Sequence, residues 1–331
     1  MLLLTESDIR KVFEMKDGIE SNKNAYAYFS EGKAKVPQRE IVHDDEEGSD
    51  FIFMPADVSS IKVAGIKIVT SFPKNADKGK ETTKGQVLLM DGEEGEFLAM
   101  MDGTFVTKFR TAAATGVGFD LFAKKDSKIG AQIGTGGQAM EQLSAMLTAC
   151  PNLGEIRVAA RDFAKTKKFV EAANERFNPD FKCRIVAVEK ADDAVKDADV
   201  ITAVTVSHEP LFKASSVKKG ATISAVGSYR YEMVELDPEL VKSADLIVCD
   251  SVDACLAETG DLIKPIEQNL ICKDDLKGDI GEYVLGKRNG RENDDQIIIF
   301  KHVGIGVLDL VTAADIYKAA AKAGVGTVWE A

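Results

Sequence analysis

Three cations and one glycine-rich loop carry the chemistry available to this sequence. Arg39 comes shortly after Pro37, Lys67 lies inside the apolar stretch Ile66-Lys-Ile-Val69, and Arg110 precedes Thr111. An arginine fork grips a carboxylate with two hydrogen bonds, and a lysine in an apolar strand loses proton affinity and can exchange protons. The three together suit a small amino or keto acid, with a carboxylate to hold and a proton to move. Each also has a plain structural reading, which spacing alone favours. Lys67 alternates with Ile66 and Ile68, the pattern of an outward-facing residue on a half-buried strand.

The loop has a more specific signature. Ile129-Gly-Ala-Gln-Ile133 runs directly into Gly134-Thr135-Gly136-Gly137-Gln138-Ala139, and a helical stretch with Glu141, Leu143, Met146 and Leu147 follows. Gly134 permits a tight turn, Gly136 lets a pyrophosphate approach the backbone, and Ala139 keeps the helix close to the strand. Thr135 and Gln138 complete the loop and count with it as cofactor-binding candidates. A GxGxxA pattern alone is weak; the strand before it and the helix after it supply the context a dinucleotide site requires. The next strand, Ile156-Arg-Val-Ala-Ala160, ends at Arg161-Asp162, where the adenosine ribose is met. An acid at the strand end would suit NAD(H), whereas Arg161 there can pair with a 2′-phosphate and favours NADP(H). Arg161 as a solvated residue, and Asp162 as a helix N-cap or as the ribose ligand itself, remain open beside that reading.

The elements that must position these residues fall into two styles. Thr5 to Gly32 has helical spacing in Ile9, Val12, Phe13, Ile19 and Ala25, predicting two helices around a break at Asp17 and Gly18. From Pro37 to Asp102, short apolar stretches (Phe51 to Met54, Val63 to Val69, Val87 to Met90, Phe97 to Met101) alternate with turn clusters, predicting a mostly antiparallel sheet. The acidic run Asp44 to Glu47 reads as a solvated turn between two strands. The alanine-rich stretch from Ala112 to Phe122 predicts a buried helix. From Lys128 onward, apolar strands alternate with amphipathic helices, the pattern of a doubly wound parallel sheet. A strand at Ile297 to Phe300, Gly304, Gly306 and a helix through Leu308, Val311 and Ile316 close the chain. That helix is expected to return to the first domain.

A chain of 331 residues with 45% hydrophobic and 29% charged residues is long enough for two domains. No apolar run approaches the roughly 20 residues that a bilayer needs, so neither a membrane span nor a signal peptide is expected. The five cysteines are widely spaced and form no CxxC; zinc and a disulfide framework are not expected, and a cytoplasmic setting fits. A net charge of -12 with dispersed basic residues sets a field that repels phosphate backbones, so nucleic acid is not an expected partner.

Five stretches resemble the ornithine cyclodeaminase and mu-crystallin family of NAD(P)-dependent oxidoreductases: Lys67-Ile-Val-Thr-Ser-Phe-Pro, Phe109-Arg-Thr-Ala-Ala-Ala, Ile133-Gly-Thr-Gly-Gly-Gln-Ala, Ala225-Val-Gly-Ser and Phe300-Lys-His-Val-Gly-Ile-Gly. The resemblance implies an α/β homodimer in which a Rossmann domain over 125–302 is inserted into an α+β substrate-binding and dimerisation domain of 1–124 plus 303–331. It places Arg39, Lys67 and Arg110 on carboxylate-binding and catalytic positions, overturning their plain reading. It also brings Thr205, Val303 and Gly304 to the nicotinamide side, with Thr111 among the cofactor candidates. His302 reads as a packed or solvated residue, because the family does not rely on it. Cyclodeaminases and alanine dehydrogenases of the family carry an aspartate shortly after the glycine corresponding to Gly227; Tyr229 stands there in this chain. That departure points to the members that reduce cyclic imino acids such as Δ1-pyrroline-2-carboxylate or Δ1-piperideine-2-carboxylate. Two alternatives accompany it. One is cyclodeamination or amino acid dehydrogenation, with Asp250 or Glu258 replacing the aspartate. The other is a non-catalytic dinucleotide-binding protein of mu-crystallin type.

Overall fold

Side chains from residue 63 to residue 68 alternate between two faces: Val63, Gly65 and Lys67 are buried, while Ile68 is exposed. This period of two sets one face of a sheet against helices and leaves the other open. In the structure, a computed structural model describing residues 1–330, the sheet belongs to a unit formed by Met1–Arg110 with the chain from Ile305 onward. The unit begins with β1 (Leu2–Leu4), α1 (Glu6–Val12) and α2 (Met15–Ser30). Six strands follow: β2 (Ala34–Lys35), β3 (Glu40–Asp44), β4 (Ser49–Val58), β5 (Val63–Ser71), β6 (Thr83–Asp91) and β7 (Phe97–Asp102). The long helix α3 (Gly103–Phe122) then leads out of the unit.

The second unit, Thr111–Gly304, opens with β8 (Ile129–Ile133), α4 (Ala139–Ala149), β9 (Glu155–Ala159) and α5 (Phe163–Phe177). It continues through β10 (Arg184–Ala187), α6 (Ala191–Val195), β11 (Val200–Ala203), β12 (Thr222–Ala225), α7 (Pro238–Ser243) and β13 (Leu246–Cys249). The last elements are α8 (Val252–Glu258), α9 (Gly260–Glu267), β14 (Leu276–Asp279), α10 (Ile280–Val284) and β15 (Ile298–Lys301). The strands form one parallel sheet in the order β10-β9-β8-β11-β12-β15-β13-β14. β11, β12, β13 and β15 are buried at every position, as strands covered on both faces must be. This is a Rossmann-like α/β unit.

The tail, α11 (Gly306–Ala323) and β16 (Thr327–Val328), returns to the first unit. There α11 packs on α2 and across β4, β5 and β6. Along the sheet the order is β16-β1-β7-β6-β5-β4-β2, with β3 also paired to β4. The acidic stretch after β3 is the turn into β4.

Three boundaries differ from the sequence reading. The break between the first two helices falls at Phe13 and Glu14, not at Asp17 and Gly18. The Asp17 carboxylate accepts a hydrogen bond from the Glu14 amide at 2.9 Å, half of a capping box, so the Asp-Gly pair starts α2 instead of interrupting it. The units divide between Arg110 and Thr111, inside α3, and after Gly304, where the sequence reading put the divisions at 124/125 and 302/303.

The start of α3 is pinned to β6. Thr104 Oγ1 accepts from the Gly85 amide at 2.9 Å, and a Cβ on Gly103 would lie 2.5 Å from the Gln86 backbone nitrogen. Backbone cannot yield as a side chain does. Gly103→Ala is therefore expected to cost about 1–3 kcal/mol of stability, measured by urea unfolding; an unchanged midpoint would show that α3 can shift freely on the sheet.

Candidate active site

β5 delivers Lys67 onto the helix-covered face of its sheet, between Met54 of β4 and Val87 of β6. Ile66 and Ile68 take the other face, so the plain outward-facing reading of Lys67 is reversed. A buried cation must find an anion or shed its proton. Asp309 of α11 meets that need for two cations at once. Lys67 Nζ donates to Asp309 Oδ2 at 2.8 Å, and Arg110 Nε donates to Asp309 Oδ1 at 2.8 Å. Lys67, Arg110 and Asp309 are 2%, 5% and 1% exposed, respectively. The buried Asn22 of α2 fixes the helices around them: its Nδ2 donates to the Arg110 carbonyl at 2.6 Å, and its Oδ1 accepts from Thr312 Oγ1 at 3.2 Å.

The charges do not cancel. Lys67 and Arg110 outnumber Asp309, and Arg39, half-buried between β2 and β3, is near enough for its charge to act on Lys67. Burial lowers the Lys67 pKa to about 7, helped by Arg110 and Arg39 and opposed by Asp309. Burial works to raise the Asp309 carboxyl, but Arg110 and Lys67 overcome it and hold the group below its usual range. Arg110 Nη1 is buried with no hydrogen-bond acceptor among the described residues. A surplus of positive charge, an unmet guanidinium donor and an amine that titrates near neutrality together suit an anionic substrate that gains or loses a proton.

In the second unit, Gly134 has φ +119°, a conformation that strains any other residue, and its amide donates to the Ala159 carbonyl at 2.9 Å. Gln132 bridges the loop from below, its Nε2 donating to the Gly134 and Ala139 carbonyls at 3.3 and 3.1 Å. A Cβ on Gly136 would meet nothing within 4 Å, so the backbone there is open to approach. No side chain caps α4, and Thr135 and Gln138 flank its entrance half-buried. An uncapped eleven-residue helix entered from an open glycine turn fits a pyrophosphate. Thr205 follows β11 beside this loop, with its Cγ2 3.1 Å from the position of a Gly134 Cβ.

The remaining candidates divide. Arg161 is exposed beyond β9, and Asp162 caps α5 by accepting from the Lys165 amide at 3.0 Å. Thr111 is buried in α3. The Val303 and Gly304 amides donate to Asp250 Oδ2 at 3.1 and 2.6 Å. Asp250, fully buried and also accepting from the Ser251 amide, is thus a backbone anchor, not a spare catalytic carboxylate. Glu258 ends α8, half-buried. His302 is buried, with Nε2 3.2 Å from the hydroxyls of Thr115 and Ser224 and its ring stacked on Phe300. It is a packed residue. Tyr229 is 39% exposed, beneath the Arg230 guanidinium. Sequence reasoning missed Asp309 altogether, although a lone acid within Gly306-Val-Leu-Asp-Leu-Val311 was a visible signal.

Several known proteins are similar to this chain along nearly its whole length. The model of the ornithine cyclodeaminase/mu-crystallin family matches residues 1–324. A Δ1-pyrroline-2-carboxylate reductase from Bacillus cereus is 32% identical over 326 residues, 98% of each chain. The solved structure of the Thermococcus litoralis Δ1-pyrroline-2-carboxylate reductase, in complex with NADH and L-proline, superimposes with a TM-score of 0.93 at 35% identity, covering 99% of this chain and 100% of that one. An archaeal alanine dehydrogenase dimer with bound NAD gives 0.90 at 31% identity, covering 100% and 99%.

Asp309→Asn should cost about 3–5 kcal/mol of stability in urea unfolding, because removing one member of a buried ionic cluster strands the others. It should also lower the Lys67 pKa further, since Asp309 is what supports the proton there. Wild-type stability in this variant would show the carboxylate to be dispensable.

Proposed function

The chain belongs to the ornithine cyclodeaminase/mu-crystallin family, and from that membership we propose that it reduces a cyclic imino acid of the Δ1-pyrroline-2-carboxylate or Δ1-piperideine-2-carboxylate type to the cyclic amino acid. The observation that carries this reading is the buried Lys67 and Arg110 pair on Asp309, with Arg110 Nη1 unmet. Arg110 and Arg39 hold the substrate carboxylate, and the clamp orients the C=N bond. Lys67 hydrogen-bonds the ring nitrogen and supplies the proton that nitrogen gains. When bound, the reduced nicotinamide supplies the hydride to the C=N carbon; one proton and one hydride convert imine to amine.

The glycine loop from Gly134 to Ala139 holds the pyrophosphate, with Thr205, Val303 and Gly304 serving the nicotinamide side and Thr111 a further cofactor contact. NADP(H) is the preferred cofactor in this reading, because Asp162 is engaged as a helix cap and Arg161 is left exposed to meet a 2′-phosphate. A homodimer is supported by the apolar open face of the first sheet, where Phe51, Ile68 and Met100 are exposed. No helix among the described residues is long and apolar enough to cross a membrane. The wide spacing of the five cysteines, with no CxxC, supports a reducing, cytoplasmic setting.

The direct test measures NADPH and NADH consumption with each cyclic imine. Reduction to proline or pipecolate is expected. Conversion of ornithine to proline without net cofactor turnover, and no imine reduction, would move the chain to the cyclodeaminases. Lys67→Met should lower kcat by roughly a hundredfold, the usual contribution of a positioned acid, and leave cofactor affinity unchanged. Lys67 is charged below its pKa of about 7, so the imine reduction rate should fall as pH rises through that value. A flat profile would remove Lys67 from proton delivery. Arg161→Ala should erase the preference for NADPH; a preference that survives would place its source elsewhere.

A further inference from the structure

A second buried carboxylate ties together two loop ends of the Rossmann-like unit. Glu235 is 0% exposed. Its Oε1 accepts from the Thr205 amide at 2.6 Å and from Thr205 Oγ1 at 2.9 Å, and its Oε2 accepts from the Gly227 and Ser228 amides at 2.6 and 3.3 Å. Thr205 lies just beyond β11, and Gly227 just beyond β12, its paired neighbour. On its other side β11 pairs with β8, which leads into the glycine loop. The chain builds outward from β8 through β9 to β10, and in the opposite direction from β11 to β12. Strand order therefore reverses between β8 and β11, and a dinucleotide lies across such a crevice at the carboxyl ends of the strands. With the adenosine end on the β9 side, the nicotinamide end falls to β11 and β12.

We propose that Glu235 is the positioning residue of the nicotinamide half of the cofactor site: by accepting from both loop ends, its carboxylate makes them one wall against which the nicotinamide riboside is set. The proposal rests on reading the glycine loop as a dinucleotide site, and is independent of which imine is reduced. Glu235 is itself anchored. Its amide and that of Leu236 donate to Asp261 Oδ1 at 2.7 and 3.0 Å, and Lys301 Nζ lies 3.1 Å from Asp261 Oδ2. The charged groups acting on Glu235 are Lys301 at the end of β15 and Asp261 in α9; Thr205, Gly227 and Ser228 offer neutral donors. Burial raises the Glu235 pKa to about 7, opposed by Lys301 and reinforced by Asp261. Only the ionised carboxylate can accept all four hydrogen bonds. Protonation places an O–H among donors and loosens the tie.

The test compares binding of reduced dinucleotide with binding of ADP-ribose, or its 2′-phosphate, which lack the nicotinamide. Glutamine at this position keeps one acceptor but turns its NH₂ toward the other loop. Glu235→Gln should therefore weaken NAD(P)H about tenfold, the equivalent of one charge-assisted hydrogen bond, and leave ADP-ribose affinity unchanged. In the unsubstituted protein, affinity for NAD(P)H should fall below pH 7 while that for ADP-ribose stays level, and in Glu235→Gln this difference should vanish. Equal losses for both ligands, or no loss for either, would overturn the proposal. If Glu235→Gln does not fold, the two pH titrations of the unsubstituted protein decide by themselves: parallel curves overturn it. Because no imine is present, these results stand whether or not imine reduction is found.

Discussion

The carboxylate of Asp309, buried between Lys67 and Arg110, is the interaction on which the first unit depends. It joins residues 242 and 199 positions apart in sequence, and so requires α11 to come back to the sheet that carries Lys67. Charges taken out of water cost more than their attraction returns unless geometry and hydrogen bonds are well arranged. Here Asn22 and Thr312 supply that arrangement by locking α2, α3 and α11 in register. An apolar trio of the same size would stabilise the fold as well or better. What the ionic cluster offers instead is a cation surplus and an amine whose proton is loosely held, which are the properties a site for an imino acid needs.

The Rossmann-like unit applies the same principle to backbone. Asp250 gathers the amides of Ser251, Val303 and Gly304, and Glu235 those of Thr205, Gly227 and Ser228. Loop amides at the ends of parallel strands have no ladder partners, and buried acceptors must be found for them. Carboxylates meet several at once, and in doing so they set the shape of the strand ends where a dinucleotide is expected.

Much of this was legible in the sequence. The strand Ile129–Ile133 was placed to the residue, and the glycine loop was recognised because strand, turn and helix signals coincided. The site was legible only in part. Periodicity says that Lys67 and Ile68 lie on opposite faces of β5, but not which face the helices cover; only α11, hundreds of residues later, decides that. Asp309 went unnoticed because helical spacing draws attention to the apolar residues around it. β14 was missed for a related reason: Leu276-Lys-Gly-Asp279 has little apolar content and is a strand because β13 offers it an edge. Such long-range causes leave no local pattern.

In the proposed reading, the cation pair held by Asp309 receives the substrate carboxylate. A crystal structure of the protein with oxidised cofactor and the cyclic amino acid product tests it most directly. The product carboxylate is expected within hydrogen-bonding distance of Arg110 Nη1, with the ring nitrogen against Lys67 Nζ. A carboxylate bound elsewhere, with Arg110 Nη1 still unmet, would contradict it.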